Sequence, residues 1–404
     1  MTPPLHLRDA RIVCPVAGER RGDMLIVDGM IAEGPAPDNA TIVDCGGKLV
    51  LPGIVDLGVA TIDRAAFRAG GITRVALMPD QTPVLDEPGI VQRSALIGKP
   101  DLWIHPIAAA TRSLQGSDLA EIAICRSAGA KAVGTGRGWI ADTGVMRRVL
   151  AYAHDLDMAV IAEAQDGALT AGAVATDGET ATRLGLPAAP ALAEALAVAR
   201  DLMLAEDTGA RLHLRCVTTA AAFALIRSAR ARGIRVTCGT TPAHLLLSDI
   251  AMSDFRTFAH LSPPLRAEDD RKATLAALAD GTIDLLCSGH DPRGPEEKRL
   301  PFADSTPGAA GAATLFALGM GLVRDGTITL PRLAALLSLA PAGVLGVDAG
   351  PLSPGSPGDV MLADENAPWR IEAATLPGKA GNTPFDGLPV QGRVLRTWKG
   401  GREI

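Results

Sequence analysis

Nine polar or ionisable residues stand where short apolar runs end: Asp80, Arg137, Glu163, Gln165, Asp166, Arg215, Cys216, His290 and Asp291. Carboxylate, thiolate and imidazole donors of this kind can hold one zinc ion, here through Glu163, Cys216, His290 and Asp291. A further reading has Asp80, Arg137 and Arg215 gripping a small polar metabolite without turnover. Each candidate also has a plain structural reading. His290 reads as a locally hydrogen-bonded ring, Cys216 as a packed thiol, and Glu163 with Arg215 as a buried ion pair. The other six histidines, at positions 6, 105, 154, 213, 244 and 260, form no HxH or HExxH pattern. His213 alternates with Leu212 and Leu214, which leaves its direction open. A nucleophile elbow (GxSxG) is absent, and Gly134–Gly138 (GTGRG) has the form of a weak phosphate-cradling loop.

These positions matter because of the elements that end there. Eight apolar runs of strand length are found: Ile54–Ala60, Thr73–Met78, Leu102–Ala108, Ala130–Gly134, Met158–Ala162, Arg211–Val217, Arg235–Gly239 and Thr282–Cys287. Near-continuous apolar strands imply a parallel sheet buried on both faces. The segments between them carry helical boundary signals. Ser117 opens SDLAEIAICRSAG, Thr218 opens TTAAAFALIRSARARG, and Ala191–Asp207 is a long Ala/Leu helix. The expected fold is therefore α/β, a (β/α)8 TIM-type barrel over residues 51–344 whose active site lies at the C-terminal strand ends. Residues 1–50 and 345–404 return to short β-like runs, including Asp359–Ala363, Trp369–Glu372 and Gly392–Thr397. Together they are expected to form a small composite β-sandwich domain beside the barrel.

Composition narrows the function. The chain has 404 residues, 47% of them hydrophobic, and a net charge of −6. An acidic balance argues against nucleic-acid or anionic-membrane partners. The longest uncharged apolar stretch, Gly311–Val323, falls short of the ~20 residues a spanning helix needs, and no export signal is visible. Six cysteines without pair spacing suit a reducing compartment, so a cytoplasmic protein is expected; a homodimer is open to a barrel of this size.

Several longer segments resemble the amidohydrolase superfamily, and within it the dihydroorotases that associate with aspartate carbamoyltransferase in pyrimidine synthesis. They are LVLPGIVDLG (Leu49–Gly58), AGGITRVALMP (Ala69–Pro79), TPAHLLLSD (Thr241–Asp249), SPPLR (Ser262–Arg266), ADGTIDLLCSGHDP (Ala279–Pro292) and the terminal GNTPFDGLPVQGRVLRTWKGGREI. The resemblance spans nearly the whole chain and implies the same barrel and composite β domain. It also implies a zinc site that these residues do not supply. The family's Asp-x-His-x-His becomes Asp56-Leu57-Gly58-Val59-Ala60, so Gly58 and Ala60 stand at two ligand positions. The ligand after the fourth strand falls near Thr135–Gly136, the fifth-strand His aligns with Glu163, and the sixth-strand His aligns with Cys216. The substrate Asn after Met-Pro becomes Asp80. Gly289 stands at the catalytic Asp position, with His290 beside it, and the substrate-gripping Arg loop after Ala60 is missing.

A zinc site lowers the pKa of bound water from 15.7 to about 7, on the order of 12 kcal/mol. A positioned general base supplies only ~10²–10⁴-fold. By this reasoning no cofactor is expected, and the chain reads as a non-catalytic dihydroorotase homologue that organises aspartate carbamoyltransferase. Asp80, Arg137, Glu163, Arg215, Cys216, His290 and Asp291 would then line a vestigial pocket. The alternative is a divergent metal-dependent dihydroorotase, or a cyclic amidohydrolase with a rebuilt site.

Overall fold

Burial explains the sheet directly. In the run Ile72–Leu77 every residue is buried, so the strand is covered on both faces. Eight largely buried strands lie side by side in a computed structural model that describes residues 3–404. They are Ile54–Val59, Ile72–Leu77, Trp103–Ala109, Ala132–Gly134, Ala159–Glu163, Arg211–Arg215, Val236–Thr240 and Leu285–Leu286, neighbours in sequence order. The recorded ladders between them are parallel. This is the TIM-type barrel expected from the apolar runs.

A side chain bridges the seam between the first and eighth strands. The Asp56 carboxylate accepts the Ser288 amide at 2.9 Å and the Ser288 hydroxyl at 2.5 Å. Burial raises the pKa of Asp56, and the two Ser288 bonds oppose that rise. The lumen is packed by small and branched residues, among them Val55, Leu57, Ala76, Ile107, Ala132, Ala159, Ile161 and Leu285. His213 pairs in register with Ile161 and so shares its inward face. Its ring nitrogen Nδ1 lies 2.9 Å from the Thr237 hydroxyl.

Both chain ends build one mixed sheet with its own core of Leu5, Leu7, Ile12, Ile26, Val50, Leu362 and Trp398. The central strand Leu49–Pro52 joins Leu5–Cys14 from the N-terminal segment to Val360–Arg370 from the C-terminal one. Arg74 of the second barrel strand meets Asp359 at 2.7 Å, and both side chains are buried. That ion pair ties the sheet to the barrel.

Two local expectations differ from the structure. Asp359–Ala363 and Trp369–Glu372 are not separate strands but parts of one, Val360–Arg370, whose register shifts between Asp364 and Pro368. Pro368 has no N–H for the ladder, so the strand passes through an irregularity instead of ending. The helix expected from Ser117 spans only Ile122–Ser127. Residues before it are drawn into a bridge, Leu119 with Thr111, which competes with helix formation. Among the described residues no helix is long and apolar enough to cross a membrane.

Candidate active site

The C-terminal strand ends enclose a cavity of about 90 Å³. A single enclosed water needs ~10–15 Å³ by the same measure, so there is room for several waters or one small ring. Asp80, Arg137, Arg215, Cys216, Thr241, His244, Ser288, His290 and Asp291 all contribute to its wall.

Most of these groups are committed to one another. Arg215 donates to Glu163 at 2.6 Å across the ends of the sixth and fifth strands. Burial raises the pKa of Glu163 against the pull of Arg215, while Glu163 holds the guanidinium above its ordinary value against burial. A carboxylate in such contact with a guanidinium is ionised, and the pair is charged. Arg137 donates to Asp291 at 2.6 Å, and Arg293 donates to the same oxygen at 2.8 Å. The Asp80 carboxylate accepts the Arg137 amide at 2.7 Å. The GTGRG loop is thus closed on a carboxylate of its own chain and offers no phosphate cradle. Gly136 permits this with φ +75°, since a Cβ there would lie 2.6 Å from Asp80 Oδ1.

The sixth strand hands over directly to the least conventional feature. Cys216 follows Arg215 with φ +51°, a left-handed backbone that costs a non-glycine residue about 1–3 kcal/mol. Its Sγ lies 3.6 Å from Nδ1 of His244. The Thr241 hydroxyl reaches the same nitrogen at 2.8 Å, and Nε2 lies 3.0 Å from the Pro263 carbonyl. A carbonyl only accepts, so Nε2 carries the proton and Nδ1 is the acceptor. Burial lowers the His244 pKa to about 4, so the ring is neutral near pH 7. Burial likewise pushes the Cys216 thiol well above its usual value.

Below the cavity, Glu194 anchors the loop after the sixth strand. This fully buried carboxylate accepts the amides and hydroxyls of both Thr218 and Thr219 at 2.6–2.9 Å. Gln165 donates to it at 3.0 Å and Arg266 at 3.2 Å.

The residues nominated from sequence are therefore only partly brought together. Asp80, Arg137, Arg215, Cys216, His290 and Asp291 contribute to the cavity wall, but Glu163 does not; its carboxylate is held by Arg215. The His290 ring is engaged outside the cavity by Phe67 edge-on, the Ala312 amide at 3.3 Å and Asp63 at 3.6 Å. Burial would raise the pKa of Asp63, yet bonds from His290 and from the Lys379 and Ala66 amides bring it below the usual range. Gln165 joins the Glu194 network, and Asp166 caps the helix Gly167–Thr170 by accepting the Ala168 and Leu169 amides. Replacing Asp166 by alanine is expected to cost about 0.5–2 kcal/mol in chemical denaturation, the usual loss for an N-cap. The cavity should be unchanged, because Asp166 has no part in its wall.

The donor set does not fit a zinc ion. Glu163 is held by Arg215, Asp291 by two guanidiniums, Cys216 by His244, and the His290 ring by groups outside the cavity. Among the described residues no three His, Cys, Asp or Glu side chains converge as ligands. A cation would also meet two guanidiniums at the wall, Arg137 and Arg215.

Comparison with known proteins places the whole chain. A family profile described as Dihydro-orotase-like matches residues 47–221. The sequence is 37% identical to the dihydroorotase of Citrifermentans bemidjiense over 97% of each chain. It is 38% identical to the dihydroorotase of Pelotomaculum thermopropionicum, over 99% of this chain and 98% of the other. The chain belongs to the dihydroorotase family. In three dimensions it is similar to L-hydantoinase (dihydropyrimidinase) from Arthrobacter aurescens, with a TM-score of 0.87, 23% identity and coverage of 100% and 96%. At that identity the likeness concerns the shared fold.

Family membership corrects the reading as a non-catalytic partner of aspartate carbamoyltransferase. Relatives 35–38% identical along nearly the full length carry the name dihydroorotase, which supports an enzyme over an inactive scaffold. Loss of the family's metal positions is not loss of the site. In the dihydroorotase-family barrel seen here, the mouth keeps a cavity and an ordered polar wall.

Proposed function

We propose that this chain opens and closes a small cyclic amide of the dihydroorotate class in the barrel-mouth cavity, using its own side chains and no resident metal. The observation that carries the reading is the cavity itself. It lies where barrels of this type do their chemistry and is walled by guanidinium, carboxylate, thiol and imidazole groups. The substrate class is taken from the full-length relatives named dihydroorotase.

Arg137 and Arg215 are the groups to grip a substrate carboxylate. Each spends part of its fork on a neighbouring carboxylate and keeps further N–H donors. That pairing also holds the forks in place before the substrate arrives, which lowers the entropy lost on binding. Without a metal-bound hydroxide the reaction depends on side-chain acid–base help of ~10²–10⁴-fold, so turnover is expected to be slow.

The test uses full-length protein purified from a host whose own dihydroorotase has been deleted. Dihydroorotate and carbamoyl aspartate are followed from both directions by absorbance and chromatography. The reading expects interconversion in proportion to enzyme concentration, lost in Arg137→Ala. No interconversion above the enzyme-free rate would overturn it.

A further inference from the structure

We propose that the Arg137–Asp291 ion pair is a strap across the barrel mouth that sorts incoming molecules by charge. It yields to small carboxylates and holds back neutral molecules and cations. It rests on the reading above only in taking Arg137 as a group that grips a ligand carboxylate, and it concerns entry to the cavity, not the chemistry inside.

In a closed ring of eight strands the fourth and the eighth lie opposite each other. Arg137 stands in the loop after the fourth, Ala132–Gly134, and Asp291 in the loop after the eighth, Leu285–Leu286. Their contact at 2.6 Å therefore crosses the mouth from one side to the other. Both residues belong to the cavity wall. The Arg137 side chain is 41% exposed, whereas the wall thiols Cys216 and Cys287 are buried, so the bridge lies on the solvent side.

The two ends of the strap are unequal. Asp291 is fixed: its Oδ2 also accepts Arg293 at 2.8 Å, and its amide donates to the Ala309 carbonyl at 2.8 Å. Arg293 is itself held by the Pro307 carbonyl at 3.0 Å and by Glu297 at 3.3 Å. Arg137 stands between two glycines, and among the described residues its guanidinium bonds Asp291 alone. The end that moves is therefore the Arg137 side chain. When it swings away, Arg293 still neutralises Asp291, so opening leaves no carboxylate unpaired.

Charge decides what can open the strap. A ligand carboxylate replaces Asp291 on the guanidinium with the same charge-assisted geometry. A neutral molecule must part the ion pair without compensation, and a cation also meets Arg215 in the wall.

The wall thiols report entry without any turnover. Three methanethiosulfonates of similar size are compared, carrying a sulfonate, a hydroxyl or a trimethylammonium group, and each cysteine is followed by peptide mass spectrometry. Dividing each rate by that of the same cysteine in urea-unfolded protein removes the reagents' own reactivities. Burial pushes both wall thiols up, which slows all three reagents alike. In the wild type the sulfonate is expected to modify Cys216 and Cys287 at least ~10-fold faster than the hydroxyl reagent, with the cation slowest, the scale of focusing in a charged cleft. Arg137→Gln and Asp291→Asn should each speed the neutral reagent by ~2–5-fold, the factor that a part-exposed ion pair is worth. Arg137→Gln should also remove most of the sulfonate's advantage. Should Asp291→Asn fail to fold, Arg137→Gln carries the test, since it leaves Asp291 paired with Arg293. A neutral reagent unaffected by Arg137→Gln, no sulfonate preference in the wild type, or Cys125 and Cys238 reacting in step with the wall thiols would overturn the strap. Both effects in a protein that opens no ring would overturn the cyclic-amide reading and leave the strap standing.

Discussion

Glu194→Ala is expected to lower the stability of the folded chain by about 3–5 kcal/mol, the cost of leaving one member of a buried ion pair uncompensated. The stranded partner is Arg266, whose side chain is 3% exposed, against 0% for Glu194 itself. Arg266 would still donate to Thr218 and Thr176, at 2.9 and 3.0 Å, but those hydroxyls carry no charge to balance it. The amides and hydroxyls of Thr218 and Thr219 would lose their acceptor at the same time. Those two residues open the helix Ala220–Ala231 and follow Cys216 by two and three positions. The variant should therefore lose turnover together with stability. Glu194→Gln keeps the volume and one acceptor oxygen but also leaves Arg266 without a counter-charge, so its loss should approach that of Glu194→Ala without exceeding it. Urea midpoints of the three proteins give the comparison. Wild-type stability in Glu194→Ala would contradict the network described here.

Arg215→Met is the second large effect, and its size should depend on pH. Removing the guanidinium leaves Glu163 buried, 5% exposed and without a charged partner. Burial already raises the Glu163 pKa, and the opposing pull of Arg215 would be gone. In the variant the folded state therefore holds a proton that the unfolded chain has released above its ordinary carboxylate pKa. Unfolding then sheds that proton, so stability is fully present below the unfolded pKa and is lost as pH rises through the folded one. Expected is a deficit of about 3–5 kcal/mol relative to wild type near neutral pH, shrinking as pH falls toward 5. Urea midpoints across that range measure it. A deficit that is constant with pH would mean that Glu163 does not take up the proton.

Much of this architecture can be read before any coordinates. Runs such as Ile72–Leu77 carry no polar interruption except Thr73 and Arg74, so the buried parallel strand declares itself in the sequence. Once the strands are placed, their ends nominate Asp80, Arg137, Arg215, Cys216 and Asp291 as wall residues. His244 was harder to find. It lies beyond the seventh strand on a helix of five residues and shares no spacing with Cys216, which comes from a different βα unit. Only closure of the barrel makes them neighbours. Glu194 sits in an Ala/Leu helix that reads as packing, and nothing local shows that its carboxylate points toward four donors of the next loop. Asp56 reads as a relic of a metal motif, whereas in the folded barrel it bridges the first and eighth strands through Ser288. Local signals are outweighed by competing partners: Asp80, far back along the chain, for the Gly-rich loop, and Thr111, a near neighbour in sequence, for the segment after Ser117.

Whether catalysis here runs on side chains alone is decided by assaying metal-depleted enzyme. The protein, made in a host without its own dihydroorotase, is stripped with a strong chelator and its metal content measured. Ring opening of dihydroorotate is then followed before and after stripping and after adding back zinc. Equal rates in all three samples, at metal contents far below one ion per chain, are the predicted result. Activity that vanishes on stripping and returns with zinc would contradict it.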